Sequence, residues 1–246
     1  MAFSTAQYEA VTSKVAHGVE TASGKLPELT AATNSLLGEW YVPGFVKDAV
    51  KWLVEQLIHI AESVLNKVVE LLKGVVAPIY MFDYAWQWED IKGTASGVAS
   101  ELTPQVVGIS QDWKGQAAAA YASAIQPQSP AAAQIASIAD KTATGLTVCA
   151  AGGLAFYIAL GVIVFQLIAS LVAAIAAVGS IIFSWAGLAM IVGDAGITTG
   201  MIIAAVTALT ALLGIQAQQM VALHGTAVDE TAFPGGHWPV AANLGS

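Results

Sequence analysis

The side chains that could catalyse a reaction or hold a metal ion are few and widely separated in this sequence. Its histidines are His17, His59, His224 and His237, and no pair of them stands at a metal-ligand spacing with an acid or a cysteine. Cys149 is the single cysteine, and we expect it to pack as a small apolar side chain. The sequence contains no glycine-rich phosphate loop, Gly-x-Ser-x-Gly motif or His-Glu-x-x-His motif. We therefore predict a non-enzymatic protein with no catalytic residues, metal site or cofactor.

Asp194 is the one ionisable residue in a long apolar region. Residues 142–193 carry no charge, and neither do residues 195–228. An acid within a membrane is by default a functional candidate. The glycines on either side indicate a solvated turn instead, because glycine clusters punctuate helices. We predict that Gly193, Asp194 and Gly196 form the tip of a hydrophobic hairpin.

The composition excludes several classes of protein. The chain has 246 residues, of which 11% are charged, against about 25% in a typical soluble protein. It carries nine lysines, no arginine and seventeen acids, for a net charge of −8. Binding to nucleic acid is excluded because neutralising phosphates requires a basic face. A single cysteine also excludes an intrachain disulfide framework.

The two uncharged runs are long enough to cross a membrane. A spanning helix needs about 20 mostly apolar residues, and residues 146–192 lack the polar stripe of a soluble bundle helix. Three spans, at residues 147–168, 171–192 and 197–219, are one arrangement, and a hairpin of two long helices is the other. Lys141, the basic residue beside the apolar boundary, favours a cytoplasmic N-terminal part.

The first 79 residues are predicted to be helical and soluble. Ser4 and Gln7 form a capping box for a first helix, which Gly24 and Pro27 should interrupt. Apolar residues at spacings of three and four then predict a long amphipathic helix from residue 45 to residue 76. We interpret its apolar face as one that is buried in a helical bundle.

An aromatic run follows that helix. Tyr80, Phe82, Tyr84, Trp86 and Trp88 alternate along the chain. Helical patterns on both sides argue against a strand. Core packing and an aromatic belt at a membrane surface both fit this run.

The next pattern is helical to residue 110, with a kink expected at residue 104 because proline lacks the backbone N–H.

A Trp-x-Gly turn comes next, at Trp113-Lys114-Gly115, and an alanine-rich helix containing Ala117 and Tyr121 follows it. This part of the chain, about residues 80–145, resembles the WXG proteins of type VII secretion. The apolar helices that follow make it similar to membrane-associated actinobacterial relatives. The resemblance implies a hairpin of two antiparallel helices with Trp-x-Gly in the loop between them.

The resemblance also implies partners. WXG proteins form homo- or hetero-oligomers with like helical proteins, so Trp113, Gly115, Ala117 and Tyr121 would serve as the turn and pairing motif. Members of the family commonly carry a Tyr-x-x-x-Asp/Glu export signal, but no tyrosine here has an acid four residues later. Export would therefore depend on a partner.

The last apolar helix has a faint polar stripe. Its members are Thr198, Thr199, Thr207, Thr210, Gln216, Gln218 and Gln219. These side chains could line a pore or form hydrogen bonds with neighbouring helices. The sequence leaves both interpretations open.

We therefore expect an all-α protein with four segments. They are an amphipathic helical segment (1–79), a WXG-like hairpin (80–145), hydrophobic membrane-spanning helices (146–224) and a flexible tail (225–246). Without a Sec-type signal at its N-terminus, it should be membrane-associated or leave the cell by a leaderless route. Its expected partners are a like helical chain and membrane lipid, and not nucleic acid. The alternative is a pore-forming protein that uses the 146–224 hairpin, and a weaker one is the carrier part of an effector.

Overall fold

The structure, a computed structural model, describes residues 3–103, 113–180 and 185–240. These residues form six α-helices and one short 3₁₀ turn, and no strand is among them. The helices are α1 (Thr5–Gly38), α2 (Gly44–Leu72), α3 (Ala77–Glu101), α4 (Gln116–Ile125), α5 (Gln128–Gly179) and α6 (Trp185–Ala227). The all-α class expected from the sequence is confirmed. The kink expected at residue 104 lies outside the described residues.

Helix α1 begins as the sequence predicts and continues further than expected. The Ser4 hydroxyl accepts a hydrogen bond from the Gln7 amide and caps the helix. The predicted interruption at Pro27 is wrong, because α1 runs through this residue. Buried side chains recur every seven residues along α1: Tyr8, Val15, Ala22, Leu29 and Leu36. Burying two leucines at about 1.5–3 kcal/mol each offsets the roughly 3 kcal/mol cost of an internal proline.

Helix α2 confirms the predicted amphipathic helix, with its end at Leu72 rather than at residue 76. Its buried side chains also follow a heptad pattern: Val50, Leu53, Val54, Leu57, Ala61, Val64, Leu65 and Val68. Helices α1 and α2 lie antiparallel. The Lys47 ammonium donates to the Leu37 carbonyl at 2.6 Å, whereas the contact from Tyr8 reaches Val75, beyond the far end of α2.

The chain divides into two compact units, and each contains two chain segments. The first unit consists of residues 1–78 and 151–212, and the second of residues 79–150 and 213–246. The first unit therefore contains α1, α2, the second half of α5 and most of α6. The second unit contains α3, α4, the beginning of α5 and the end of α6. Helix packing, rather than chain order, decides this grouping.

Within the first unit, α5 supplies a row of fully buried apolar side chains: Leu160, Ile163, Leu167 and Leu171. Glycines allow the neighbouring helices to approach closely. A Cβ atom at Gly18 of α1 would lie 2.7 Å from Cγ1 of Val164. A Cβ atom at Gly152 would collide with Leu212, and one at Gly153 would collide with Pro78. These positions accept only glycine without a shift of the facing residue.

The predicted hairpin tip is wrong in its position. Residues 193–196 lie inside α6. The first apolar helix, α5, ends at Gly179, and the second, α6, begins at Trp185. A glycine in a helix costs only about 1 kcal/mol relative to alanine, so it weakens a helix without ending it. Gly193, Asp194 and Gly196 are exposed on the side of α6. The observed pair of long helices corresponds to the two-helix arrangement and not to three separate spans.

Two buried phenols cap the end of α2. The Tyr8 hydroxyl donates to the Val75 carbonyl at 2.6 Å, and the Tyr157 hydroxyl donates to the Leu71 carbonyl at 2.9 Å. The two rings meet edge to face with centroids 5.5 Å apart. The Leu71 carbonyl also accepts a hydrogen bond from the Gly74 amide, and Val75 belongs to the turn that follows α2. The two hydroxyls therefore tie this turn and the last turn of α2 to α1 and α5. Burial, together with the neighbouring Tyr157 phenol, raises the pKa of Tyr8.

We predict that Tyr8→Phe lowers the stability of the chain by about 1 kcal/mol, because the Val75 carbonyl loses its donor while the ring stays in place. This loss corresponds to a decrease of roughly 2–4 °C in the midpoint of thermal unfolding, measured by circular dichroism. The exposed Tyr41 makes a matched control, and Tyr41→Phe should leave the midpoint unchanged. Equal midpoints for Tyr8→Phe and the unaltered chain would contradict the role of the hydroxyl.

Candidate functional site

The Trp-x-Gly sequence lies in a non-helical segment of the second unit, directly before α4. Trp113 and Lys114 are not helical, and Gly115 has a φ of +106° and occupies the N-cap of α4. Residues with a side chain rarely adopt this φ, so the backbone itself requires glycine here. The rings of Trp113 and Tyr121 lie 5.6 Å apart, whereas Ala117 is exposed. The structure thus brings together Trp113, Gly115 and Tyr121, three of the four residues predicted for the motif.

The long arms of the hairpin are α3 and the beginning of α5. The Lys92 ammonium lies 2.7 Å from the Asp140 carboxylate, and the Ser129 hydroxyl donates to the Ala99 carbonyl at 2.7 Å. The earlier residue of α3 therefore pairs with the later residue of α5, and the later residue of α3 pairs with the earlier one. This order of contacts shows that the two arms are antiparallel. The hydrogen bond to Asp140, together with a second one to Glu89, raises the pKa of Lys92.

Helix α3 exposes a stripe of large apolar side chains. Its members, at spacings of four and seven residues, are Tyr80, Tyr84, Ile91 and Val98. We call this set the α3 stripe. Such spacing places the four side chains on one face of a helix, as in a coiled-coil seam. The aromatic run noticed in the sequence therefore contributes Tyr80 and Tyr84 to an exposed helical face.

Among the described residues, two helical stretches are long and apolar enough to cross a membrane, residues 116–179 and residues 189–227. In the most apolar 18-residue window of each stretch, 33% of the first window and 11% of the second window is buried. The exposed apolar side chains of the first unit in these stretches include Val162, Phe165, Val172, Met190, Ile197 and Ile203. A core helix of a soluble protein would bury most of these side chains, because exposed apolar area is unfavourable in water.

The polar stripe of α6 has mixed surroundings. The hydroxyls of Thr207 and Thr210 donate to backbone carbonyls four residues earlier, at 2.8 Å in each case. Gln218 and Gln219 are exposed, but Gln216 is buried. Thr207 and Thr210 therefore use their hydroxyls within the helix, whereas the amide oxygen of Gln216 has no hydrogen-bond partner among the described residues.

Across the described ranges, no group of three or more His, Cys, Asp or Glu side chains could hold a metal ion. His17 lies 3.7 Å from Glu20 on an exposed face of α1, which is a surface contact. Cys149 is half-buried on α5. No known protein family, curated protein or solved structure matches this chain. The function must therefore be argued from the geometry of the hairpin and the apolar helices.

We predict opposite effects for two glycine-to-alanine changes in the hairpin. Gly115→Ala should destabilise the chain by about 1–3 kcal/mol, because the left-handed backbone becomes strained although no atom lies within 4 Å of the new methyl group. Gly93→Ala, at an exposed and helical position of α3, should stabilise it by about 0.5–1 kcal/mol. Thermal unfolding of the two variants checks this, and a change of the same sign in both would contradict the turn geometry.

Proposed function

We propose that this chain is a non-enzymatic, WXG-like protein associated with type VII secretion. It pairs with a like helical chain through the hairpin of α3, α4 and the beginning of α5, and it attaches to a membrane through α5 and α6. The observation that carries the proposal is the exposed apolar surface of these two long helices. The Trp-x-Gly turn, with its glycine at a positive φ between antiparallel arms, supports the WXG-like part.

Lipid is the surrounding that best accommodates the exposed side chains of α5 and α6. Phe165 is 71% exposed, and hydrophobic burial contributes about 25 cal/mol per Å² of apolar area removed from water. General attraction to anionic lipid does not explain the attachment, because the chain has a net charge of −8 and no basic cluster. The apolar area itself must provide the attachment.

We predict that Phe165→Lys weakens the attachment of the chain to the membrane. A lysine within the hydrocarbon costs about 2.5–3.5 kcal/mol, and this position faces away from the packed core of its unit. The measurement is alkaline carbonate extraction of membranes from expressing cells. The unaltered chain should stay in the pellet, and a larger share of Phe165→Lys should appear in the soluble fraction.

Trp52→Lys makes the matched control, because Trp52 is a large exposed side chain on the amphipathic α2. It should remain in the pellet with the unaltered chain. Recovery of the unaltered chain in the carbonate-soluble fraction would contradict membrane attachment. Equal release of both variants would show that the exposed face of α5 has no special part in it.

The pairing surface has a test of its own. The α3 stripe is an exposed apolar seam on one arm of the hairpin, and a helix with a similar seam could cover it. Ile91→Glu should weaken self-association of the detergent-solubilised chain roughly tenfold or more, because it places a charge at the centre of the seam. Ser96→Glu, exposed and outside the stripe, should leave association unchanged. Sedimentation over a range of concentrations measures both, and equal association constants would contradict pairing through α3.

A pore-forming protein is the second candidate, and one observation favours it. Within the first unit, α1 packs on α5, where Gly18 faces Val164 and Val15 faces Gly161, so an amphipathic helix covers one side of an apolar helix. Pore-forming proteins that store a hydrophobic hairpin are built in this way. Vesicles with a trapped dye separate the candidates, since a pore-former releases the dye and a membrane-attached pairing protein retains it.

A further inference from the structure

A cavity of about 510 Å³ lies within the second unit, between the beginning of α5 and the end of α6. Its lining is partly polar, with Asp140, Lys141, Thr144, Gln219 and Thr226, and partly apolar, with Leu146, Met220 and Leu223. This volume is in the range of cavities that hold small organic ligands. The lining combines polar groups with apolar side chains, which is what an amphipathic ligand requires.

The amide of Gln216 lines this cavity and has an unused acceptor. The residue is 8% exposed, and its Oε1 atom is buried and has no hydrogen-bond partner among the described residues. Buried polar atoms are nearly always paired, because an unpaired one costs about 1–3 kcal/mol. Gly145 faces this atom, and a Cβ there would lie 3.4 Å from Oε1. The glycine therefore leaves the acceptor uncovered by a side chain on the α5 side.

One positive charge in the lining of the cavity has no acidic partner. Asp140 is paired with Lys92 at 2.7 Å, whereas the neighbouring Lys141 makes no ion pair with any described residue. Lys141 is also the last charged residue before the uncharged run of residues 142–193. A lysine at the end of an apolar span places its ammonium at the level of lipid phosphates.

We propose that this cavity binds a phospholipid whose headgroup carries hydroxyl groups. A headgroup hydroxyl donates to Oε1 of Gln216, the phosphate pairs with the ammonium of Lys141, and the start of an acyl chain lies along Leu146, Met220 and Leu223. The acceptor selects against a choline headgroup, which has no O–H or N–H to donate. The proposal rests on the membrane attachment of α5 and α6 and names the class of lipid that this site prefers.

Cys149 makes the site measurable, because it lines the cavity and is the only cysteine of the chain. The full chain is held in dodecyldimethylamine oxide micelles, whose headgroup donates no hydrogen bond, and the rate of maleimide labelling is followed. Phosphatidylglycerol should slow labelling with an apparent dissociation constant roughly five- to tenfold below those of phosphatidylcholine and phosphatidic acid. Phosphatidic acid controls for charge without the glycerol hydroxyls.

Two variants assign the effect to the named groups. Gln216→Leu removes the acceptor within apolar surroundings and should abolish the preference for phosphatidylglycerol, whereas Gln218→Leu, exposed and outside the cavity, should retain it. Lys141→Gln changes an exposed side chain that the fold does not require, and it should weaken phosphatidylglycerol and phosphatidic acid alike. Retention of the preference in Gln216→Leu would overturn the assignment.

Other outcomes also decide the proposal. If soluble glycerol 3-phosphate protects Cys149 from labelling as well as phosphatidylglycerol does, the apolar lining is not used. That result would overturn the proposal of a lipid in favour of a free phosphate. Protection that rises with protein concentration without lipid would assign the cavity to a second copy of the chain. Labelling that no lipid changes would overturn the site altogether. Because micelles replace the bilayer here, failure of this site leaves the carbonate-extraction result for membrane attachment standing.

Discussion

The hydrogen bonds from the Tyr8 and Tyr157 hydroxyls to the carbonyls at the end of α2 hold the first unit together. They connect three helices at one place, because Tyr8 belongs to α1, Tyr157 to α5, and the accepting carbonyls to the last turn of α2 and the turn that follows it. The Leu71 carbonyl also accepts a hydrogen bond from the Gly74 amide, so the Tyr157 hydroxyl adds a second donor at this end of α2. The junction therefore fixes the end of α2 against both α1 and α5.

The apolar helices have one side that packs against protein and another side that is exposed. This difference between the two sides links the fold to the proposed function. In the first unit, one side of α5 is fully buried through residues such as Leu160 and Leu167, while Phe165 on the other side is exposed. Protein covers the first side and, in our proposal, lipid covers the second. In the second unit, the same two helices enclose a cavity with a partly polar lining, where Lys141 and Gln216 provide the hydrogen-bonding groups that a bare hydrocarbon surface lacks.

Local patterns predicted well those elements whose stability is local. The periodicity of α2 and the cap at Ser4 were recognisable, because apolar spacing and capping act within a few residues. The same reasoning was wrong at Pro27 and at residues 193–196, where it predicted breaks inside helices. In α1, contacts with other helices outweigh the cost of the proline. In α6, a glycine penalty of about 1 kcal/mol is too small to end a long helix.

The sequence by itself determined the helical class, the two long apolar stretches and a non-helical turn at Trp113-Lys114-Gly115, because hydropathy, charge spacing and glycine content act along the chain. Tertiary structure alone decided which segments share a unit and which side chains meet across it. The cavity joins Cys149 to Gln216, 67 positions later, and the unpaired amide oxygen arises from that packing. A pattern in the sequence shows that Gln216 is polar, but only the packing of α5 against α6 shows that its oxygen is buried without a partner.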